Sequence, residues 1–216
     1  LNQQALEYYD KLLRLAEVQN NPAQKSQILL KKAKILDLIG NWDACGLALK
    51  EAISNSRKNQ LTDLLGQAAN AYGRLLMLQG DYPQAMRQLQ ESIQIFDQLG
   101  DKAGRTEALG NLGNLYFRQG KYPEAEQYFH QSIEIARQLE GFHLDAQIVA
   151  NLGLTYMNRG NYEEGIRCQL EHLALCEQQN DKPGMAVIDT YLGIVYLEKG
   201  SYQEALDSFQ RGLALC

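Results

Sequence analysis

A glycine followed two residues later by tryptophan or tyrosine recurs every 40 residues along this chain. The five copies are Gly40-Asn41-Trp42, Gly80-Asp81-Tyr82, Gly120-Lys121-Tyr122, Gly160-Asn161-Tyr162 and Gly200-Ser201-Tyr202. The spacing shows no insertion or deletion, and a fixed period of roughly 20–50 residues is the sequence signature of a repeat architecture. The chain must therefore fold as several copies of one supersecondary unit.

Further positions repeat in the same frame. Small residues precede the turn glycine by seven positions and follow it by five, in two columns: Ala33, Gly73, Gly113, Gly153 and Gly193, then Cys45, Ala85, Ala125, Gly165 and Ala205. Larger side chains stand four before and nine after it: Leu36, Leu76, Tyr116, Tyr156 and Tyr196, then Leu49, Leu89, Phe129, Gln169 and Phe209. A glycine inside a helix costs about 1 kcal/mol relative to alanine, so its recurrence in one column implies a packing reason. We expect the small columns to let two helices approach closely and the large columns to fill the seam.

The residues between the turn glycines have helical periodicity. In the stretch 106–119, Leu109, Leu112 and Tyr116 form an i, i+3, i+7 stripe, and Gly120 stands where a left-handed residue would end the helix. Pro83 falls in the first turn of a following helix, as does Pro123, because a missing N–H is harmless there. Each repeat is therefore predicted to be an antiparallel helical hairpin, and neighbouring hairpins should stack around one continuous core.

Aspartates mark the beginnings of other helices. Asp101 and Asp181 stand just before Lys102 and Lys182, where a helix N-cap is expected.

The motif Leu112-Gly113-x-x-Tyr116, Gly120-x-Tyr122, Ala125 and Phe129 resembles the tetratricopeptide repeat, and the resemblance covers almost the whole chain. The 40-residue period, with Leu99-Gly100-Asp101-Lys102-Ala103 and Cys168-Gln169-Leu170-Glu171-His172-Leu173, is similar to the extended-helix subgroup. That subgroup includes the animal spindle adaptor LGN (Pins) and many bacterial regulatory proteins. The resemblance implies an all-α, right-handed superhelical solenoid of helix hairpins that holds a protein or peptide in a concave groove.

The same frame gives the expected organisation of a single solenoid over residues 1–216. Residues 1–20 fit the second helix of a preceding repeat, since Ala5 aligns with Ala125 and Tyr9 with Phe129. Five helix pairs are then expected at 22–60, 61–100, 101–140, 141–180 and 181–216. Leu206, Phe209 and Leu213 form an apolar stripe that a further repeat would cover. This stripe predicts either a fragment of a longer protein or end-to-end self-association.

Helical spacing and the family resemblance place the binding residues on the first helix of each repeat. The predicted groove residues are Gln67, Asn70 and Arg74, then Asn111, Asn114 and Arg118, then Gln147, Asn151 and Asn158, and finally Tyr191. An amide side chain both donates and accepts hydrogen bonds, as recognition of an extended backbone requires. A guanidinium can engage a carboxylate with two bonds. The alternative is that these polar side chains are merely solvated.

The charge of these inner positions indicates the kind of peptide. They carry four basic residues against three acidic ones (Lys31, Lys34, Arg74 and Arg118; Asp37, Glu107 and Glu198), on a chain whose net charge is −5. A polar or acidic peptide is therefore expected, and the last repeat offers a more apolar wall of Val187, Thr190, Tyr191 and Ile194. The family's chaperone-tail binders clamp a terminal carboxylate with basic residues, but Glu107 and Gln147 occupy places where this clamp needs a base. No chaperone-tail binding is expected.

Composition and motifs exclude several other functions. The negative net charge argues against a nucleic-acid partner, and no stretch is long and apolar enough for a membrane span. Phosphate-binding loops, metalloprotease motifs and nucleophile elbows do not occur, so neither catalysis nor a cofactor is expected. Cys45, Cys168, Cys176 and Cys216 show no metal or disulfide spacing, which favours a reduced, cytoplasmic chain.

Two further functions stay open at this point. One is a regulatory or sensor region of a larger signalling protein, and the other is a self-association module. Gln169 and His172 also replace apolar residues of their columns, as either a pH-sensitive polar element or a satisfied, partly buried pair.

Overall fold

The computed structural model describes residues 2–139 and 146–215, and within these ranges the chain forms eleven helices and no strand. Their bounds are α1 Asn2–Val18, α2 Pro22–Leu38, α3 Trp42–Lys58, α4 Thr62–Leu78, α5 Tyr82–Leu99, α6 Lys102–Arg118, α7 Tyr122–Arg137, α8 Ala146–Asn158, α9 Tyr162–Gln179, α10 Lys182–Glu198 and α11 Tyr202–Leu215. The chain divides into two compact units, Leu1–Leu115 (unit one) and Tyr116–Cys216 (unit two). Among the described helices, none has the length and apolar character needed to cross a membrane.

The turn glycines end the first helix of each hairpin as predicted. Gly80 has a φ of +84°, and the N–H of Asp81 donates to the carbonyl of Leu76 at 2.9 Å. This six-to-one bond and the left-handed glycine together form the Schellman cap that satisfies the last carbonyls of α4. The other turn glycines also have positive φ: Gly40, Gly120, Gly160 and Gly200.

A second series of left-handed residues, which the sequence did not predict, joins one hairpin to the next. Asn20, Gln60, Gly100 and Asn180 have φ values of +48°, +57°, +65° and +54°. These positions are again 40 residues apart, apart from residue 140, which lies outside the described residues. Asparagine and glycine tolerate this conformation better than glutamine does, so Gln60 is the strained member of the series.

The predicted helix starts are confirmed. A carboxylate oxygen of Asp101 accepts the N–H of Gly104 at 3.0 Å, and that of Asp181 accepts the N–H of Gly184 at 3.1 Å. Each of these bonds satisfies one of the N–H groups left without a partner at the start of a helix. Pro83 lies in the first turn of α5, as the missing N–H suggested.

The columns of small residues are where the two helices of a hairpin touch. A Cβ added at Gly73 would lie 2.7 Å from Cγ of Leu89, a fully buried side chain of α5. In unit two, a Cβ at Gly153 would lie 3.2 Å from the carbonyl oxygen of Gly165 on α9. Phe129 is fully buried as well. The prediction that small residues permit close approach while large ones fill the seam is confirmed.

The unusual polar residue of the large column is satisfied by the backbone. Gln169 is 1% exposed, and its Nε2 donates to the carbonyl of Ala150 at 3.0 Å. The amide thus links α9 to α8 inside unit two, while His172 is only partly buried. Of the two readings of this pair, the structure supports a bonded, buried glutamine.

Ion pairs connect the second helices of successive hairpins within each unit. Arg57 of α3 lies 2.6 Å from Glu91 of α5, and Arg137 of α7 lies 2.8 Å from Glu171 of α9. Both pairs use the same two columns of the repeat, 80 residues apart, and the copy between them has Asp97 and Gln131 at these columns. Such exposed pairs each contribute about 0–1 kcal/mol to the free energy of unfolding, so they add little to stability.

Candidate binding face

The predicted groove residues lie along one side of the first helices, and we call this side the first-helix face. It comprises the predicted positions Gln67, Asn70 and Arg74 of α4 and Asn111 and Asn114 of α6 in unit one, and Arg118, Gln147, Asn151, Asn158 and Tyr191 in unit two. At 3.6 residues per turn, positions 67, 70, 74 and 78 of α4 fall within an arc of about 80°. One side of α4 therefore carries Gln67, Asn70 and Arg74.

Two of the predicted asparagines bond to each other across neighbouring first helices. The Asn111 Nδ2 donates to Oδ1 of Asn70 at 2.9 Å, and Asn70 is only 8% exposed. The bond shows that α4 and α6 present the same side at this height. Asn70 thus acts chiefly as a link between helices, whereas Asn111 is half-buried and reaches the surface.

Arg74 is paired within the chain. Its Nη2 lies 2.5 Å from Oδ2 of Asp37 on α2, so a peptide carboxylate would have to compete with an existing partner. The pair also removes one basic and one acidic residue from the charge tally of the first-helix face. Lys31 and Lys34, both exposed on α2, then supply the positive charge of this face in unit one.

Gln67 and Asn114 complete the face in unit one. Gln67 is exposed, and its Nε2 lies 3.1 Å from each carboxylate oxygen of Asp63 one turn earlier. Asn114 is half-buried on α6. Asp63 is not among the predicted site residues, although an acid four residues before Gln67 is a signal for such a bond.

In unit two, the polar part of the face is formed by α8 and the end of α6. Arg118 is exposed. Gln147 donates to Oδ1 of Asn151 at 3.0 Å, and Asn158 is tied both to the carbonyl of Leu154 at 2.8 Å and to the Tyr122 hydroxyl at 3.2 Å. Since Asn158 is held in this way, it is less suited to meet a ligand than Gln147 and Asn151.

The first-helix face of α10 is apolar and open. Val187, Tyr191 and Ile194 are 55%, 41% and 43% exposed, and their i, i+4, i+7 spacing aligns them on one side of the helix. Thr190 donates to the carbonyl of Ala186 at 2.8 Å. Exposed apolar groups that lie together commonly mark interaction sites.

The described residues offer little for catalysis. No group of three or more potential metal ligands occurs among them. Burial raises the pKa of the Cys45 and Cys168 thiols to about 11, so neither is a nucleophile at neutral pH. The Tyr156 hydroxyl lies 2.7 Å from Nε2 of His130, whose pKa burial lowers. His143 lies outside the described residues.

The similarities to known proteins concern both family and fold. A family model for the tetratricopeptide repeat matches residues 64–138 and 145–216, which is more than half of the chain. No curated protein matches the sequence significantly.

Several solved structures have a similar fold. BtubC (BKLC) from P. vanneervenii is 18% identical with a TM-score of 0.83, over 100% of this chain and 91% of that one. A putative kinesin light chain with nearly identical TPR-like repeats, from Podosopora anserina, is also 18% identical, with a TM-score of 0.71 over 88% of this chain and 93% of that one. The third is a signal-transduction ATPase with numerous domains and a tetratricopeptide repeat sensor, from Pyrococcus horikoshii. It is 19% identical with a TM-score of 0.79, over 96% of this chain and 31% of that one.

At these identities the likeness shows the fold alone, and it confirms the all-helical solenoid class that the sequence predicted. The 40-residue extended-helix subgroup stays a prediction, as does the arrangement of residues 1–216 as one solenoid.

Proposed function

Because the chain belongs to the tetratricopeptide repeat family, we propose that it is a non-catalytic scaffold that holds an extended segment of a partner protein against its first-helix face. Members of this family are interaction scaffolds, and stacked helix pairs create extended concave surfaces that such proteins use for binding. Catalysis and a cofactor have no part in this proposal, and a cytoplasmic location stays a prediction.

The observation that carries the proposal is that amide side chains recur in two columns of the first helices: Gln67 of α4 aligns with Gln147 of α8, and Asn111 of α6 aligns with Asn151 of α8. Gln67, Asn111, Asn114, Gln147 and Asn151 all lie at the surface or are only half-buried. An extended peptide leaves backbone N–H and C=O groups unpaired, and amides can bond both. Asparagine is a mediocre helix former, so its repeated use on these helices supports a binding role over a purely structural one.

The chemistry of the face favours a polar or acidic peptide at unit one and an apolar side chain at unit two. Lys31 and Lys34 are exposed, whereas Arg74 is already balanced by Asp37. On α10, Val187 and Tyr191 leave apolar surface open to solvent. A partner segment with acidic residues would match unit one, and a partner segment with a large apolar residue would match unit two.

A second candidate is a sensor region, in which ligand binding to the repeats controls an attached domain. The Pyrococcus horikoshii protein joins a tetratricopeptide repeat sensor to an ATPase, and the likeness covers 31% of that chain. The scaffold and sensor hypotheses use the same face, and they differ in whether binding changes the activity of another domain of the same polypeptide. Self-association is a third hypothesis, favoured by the exposed Leu206 and Leu213.

The first experiment is a selection of random peptides against the folded chain, followed by titration of the recovered peptides. The double variant Lys34→Glu/Arg118→Glu should weaken acidic peptides by about tenfold or more, because it reverses two exposed charges of the face. The control Arg87→Glu/Arg167→Glu makes the same charge change on the second helices α5 and α9 and should leave affinity within about twofold. Equal loss in both variants would show a general charge effect, and selected peptides insensitive to both would exclude the first-helix face.

A further inference from the structure

An open cleft of ≈ 470 Å³ lies in unit one between α3, α4 and α5. Most of its polar lining comes from α3, with one side chain each from α4 and α5: Lys50, Ser54, Arg57, Lys58, Tyr72 and Gln88. At 100° per residue, Tyr72 lies about 140° around the axis of α4 from Gln67. The cleft is therefore separate from the first-helix face.

The cleft is basic on a chain whose net charge is −5. Lys50, Arg57 and Lys58 line it, and the carboxylate of Glu91 lies 2.6 Å from Arg57. Glu91 balances one of the three positive charges and leaves two. Basic residues in the last turn of a helix interact favourably with the negative end of its dipole. This interaction explains why Arg57 and Lys58 are basic, but it does not explain Lys50, which lies two turns earlier.

The repeat itself does not require this chemistry. In the next copy along the chain, the positions of the three cations are taken by Gln90, Asp97 and Gln98. The position of Tyr72 is taken by leucine at 112, 152 and 192. All six replacements are compatible with the same fold, so the cluster is specific to this hairpin.

One polar atom in the cleft lacks a partner. The Oε1 of Gln88 is buried and makes no hydrogen bond within the chain. An unpaired buried acceptor is unfavourable, and almost all buried polar groups in proteins are satisfied. A half-turn of the amide would present its N–H groups at this place instead, and the oxygen of a bound anion could accept them. A bound molecule would supply the missing partner.

Tyr72 positions one of the cations. The Nζ of Lys50 lies 5.6 Å from the centroid of the Tyr72 ring, within the range of a cation–π contact. Tyr72 is itself buried, so its ring is held by the core of unit one. The contact keeps the ammonium of Lys50 over the cleft.

We propose that this cleft binds a phosphoryl group. A phosphate ester carries about −1.5 to −2 charges at neutral pH, which matches the two positive charges that remain after Glu91 is counted. A single carboxylate would neutralise only one of them. Lysine and arginine donate strong charge-assisted bonds to phosphate oxygens, and Ser54 and the amide of Gln88 can add further donors. The phosphoryl group comes either from a small molecule or from a phosphorylated residue of a partner, and titration separates these sources.

The test is isothermal titration calorimetry of the full chain at low ionic strength, with inorganic phosphate, a phosphoserine peptide and the same peptide unphosphorylated. We expect phosphate and the phosphopeptide to bind and the unphosphorylated peptide not to bind. If the phosphopeptide binds about tenfold tighter than phosphate, the phosphoryl group belongs to a partner residue. If the two affinities are equal, it belongs to a small molecule. Absence of binding by both phosphate-bearing probes, or equal binding of the two peptides, would overturn the proposal.

Two variants locate the binding to the cleft. Lys50→Gln/Lys58→Gln should weaken phosphate by about tenfold or more, whereas the matched control Lys11→Gln/Lys182→Gln, at exposed lysines outside both the cleft and the first-helix face, should change it by less than about twofold. Gln88→Met replaces the unpaired amide with an apolar side chain of similar length. It should make the unliganded protein more resistant to urea while weakening phosphate several-fold. Equal effects of the two lysine pairs, or unchanged phosphate affinity in Gln88→Met, would contradict the assignment. The first-helix face uses none of the cleft residues, so either proposal can fail while the other stands.

Discussion

Replacing Gly73 and Gly46 by alanine should change stability in opposite directions, although both glycines lie inside helices of unit one. Exchanging an interior helical glycine for alanine gains about 1 kcal/mol from backbone entropy alone. At Gly46 of α3, the new Cβ would meet only Cδ2 of Leu75 at 3.5 Å, an ordinary van der Waals contact. Gly46→Ala should therefore stabilise the protein by about 0.5–1 kcal/mol.

At Gly73 the same methyl group would collide with α5. It would lie 2.7 Å from Cγ, 2.9 Å from Cδ2 and 3.2 Å from the backbone nitrogen of Leu89. Leu89 is fully buried and cannot swing away, so overpacking should cost about 1–3 kcal/mol. Subtracting the gain in helix propensity leaves Gly73→Ala neutral to about 2 kcal/mol less stable than the wild type.

Urea denaturation followed by helical circular dichroism measures the difference directly. We expect the two alanine variants to differ by about 0.5–3 kcal/mol in the free energy of unfolding, with Gly46→Ala the more stable. In a thermal scan of a chain of this size, each kcal/mol corresponds to about 2–4 °C. A Gly73→Ala variant at least as stable as Gly46→Ala would refute the argument that the small column is required by helix contact.

A double variant tests whether Leu89 is the cause. Leu89→Ala alone should cost about 2–5 kcal/mol, because it removes a buried side chain. In that background Gly73→Ala should become stabilising, since the methyl group then enters the space that Leu89 vacated. Additive effects would show that the cost at Gly73 arises elsewhere.

Three further predictions concern strain, a buried charge and a histidine. Gln60→Gly should stabilise the protein by about 0.5–1 kcal/mol in urea denaturation, since Gln60 has a φ of +57°; a loss of stability would contradict this. The Arg211 Nη2 lies 2.7 Å from Oδ1 of the buried Asp189. Arg211→Ala should therefore lower the free energy of unfolding by about 1–3 kcal/mol, a value reduced because Arg211 is half-exposed. Asp189→Leu removes the buried charge and should be neutral or stabilising. Burial first, and Arg137 second, lower the pKa of His130 below 6.5. The unfolded chain therefore takes up a proton on this histidine at a higher pH than the folded chain does, so stability falls as the pH drops through 6.5. His130→Gln should reduce that fall, as measured by urea titrations between neutral and mildly acidic pH.

The fold was readable because its determinants repeat. Gly80, Gly73 and Leu89 each perform one local task, namely ending a helix, permitting contact and filling the seam, and the same task recurs in every copy. The second series of left-handed turns was missed at Gln60, since glutamine gives no signal for a positive φ.

The binding face could be predicted only as a set of positions. Helical spacing put Arg74 on the same side of α4 as Gln67 and Asn70. Its ion pair with Asp37 could not be predicted in this way, because the two side chains stand three columns apart in adjacent repeats. The basic cleft was not predicted at all. It depends on how Gln88, Tyr72 and Lys50 from three helices meet, and a column-by-column comparison does not contain that information.

Left-handed residues at positions 20, 40, 60, 80, 100, 120, 160, 180 and 200 reverse the chain every 20 residues, with position 140 outside the described residues. Gln60 and Gly100 open and close the segment of α4 and α5 with similar backbone conformations, 40 residues apart. A segment of 40 residues cut at two of these left-handed residues begins and ends with the same backbone conformation. Its removal therefore joins two turns of the same kind. Hairpins of this chain can accordingly be treated as interchangeable cassettes, gained or lost through duplication or engineering, with specificity carried by the few side chains that differ between copies.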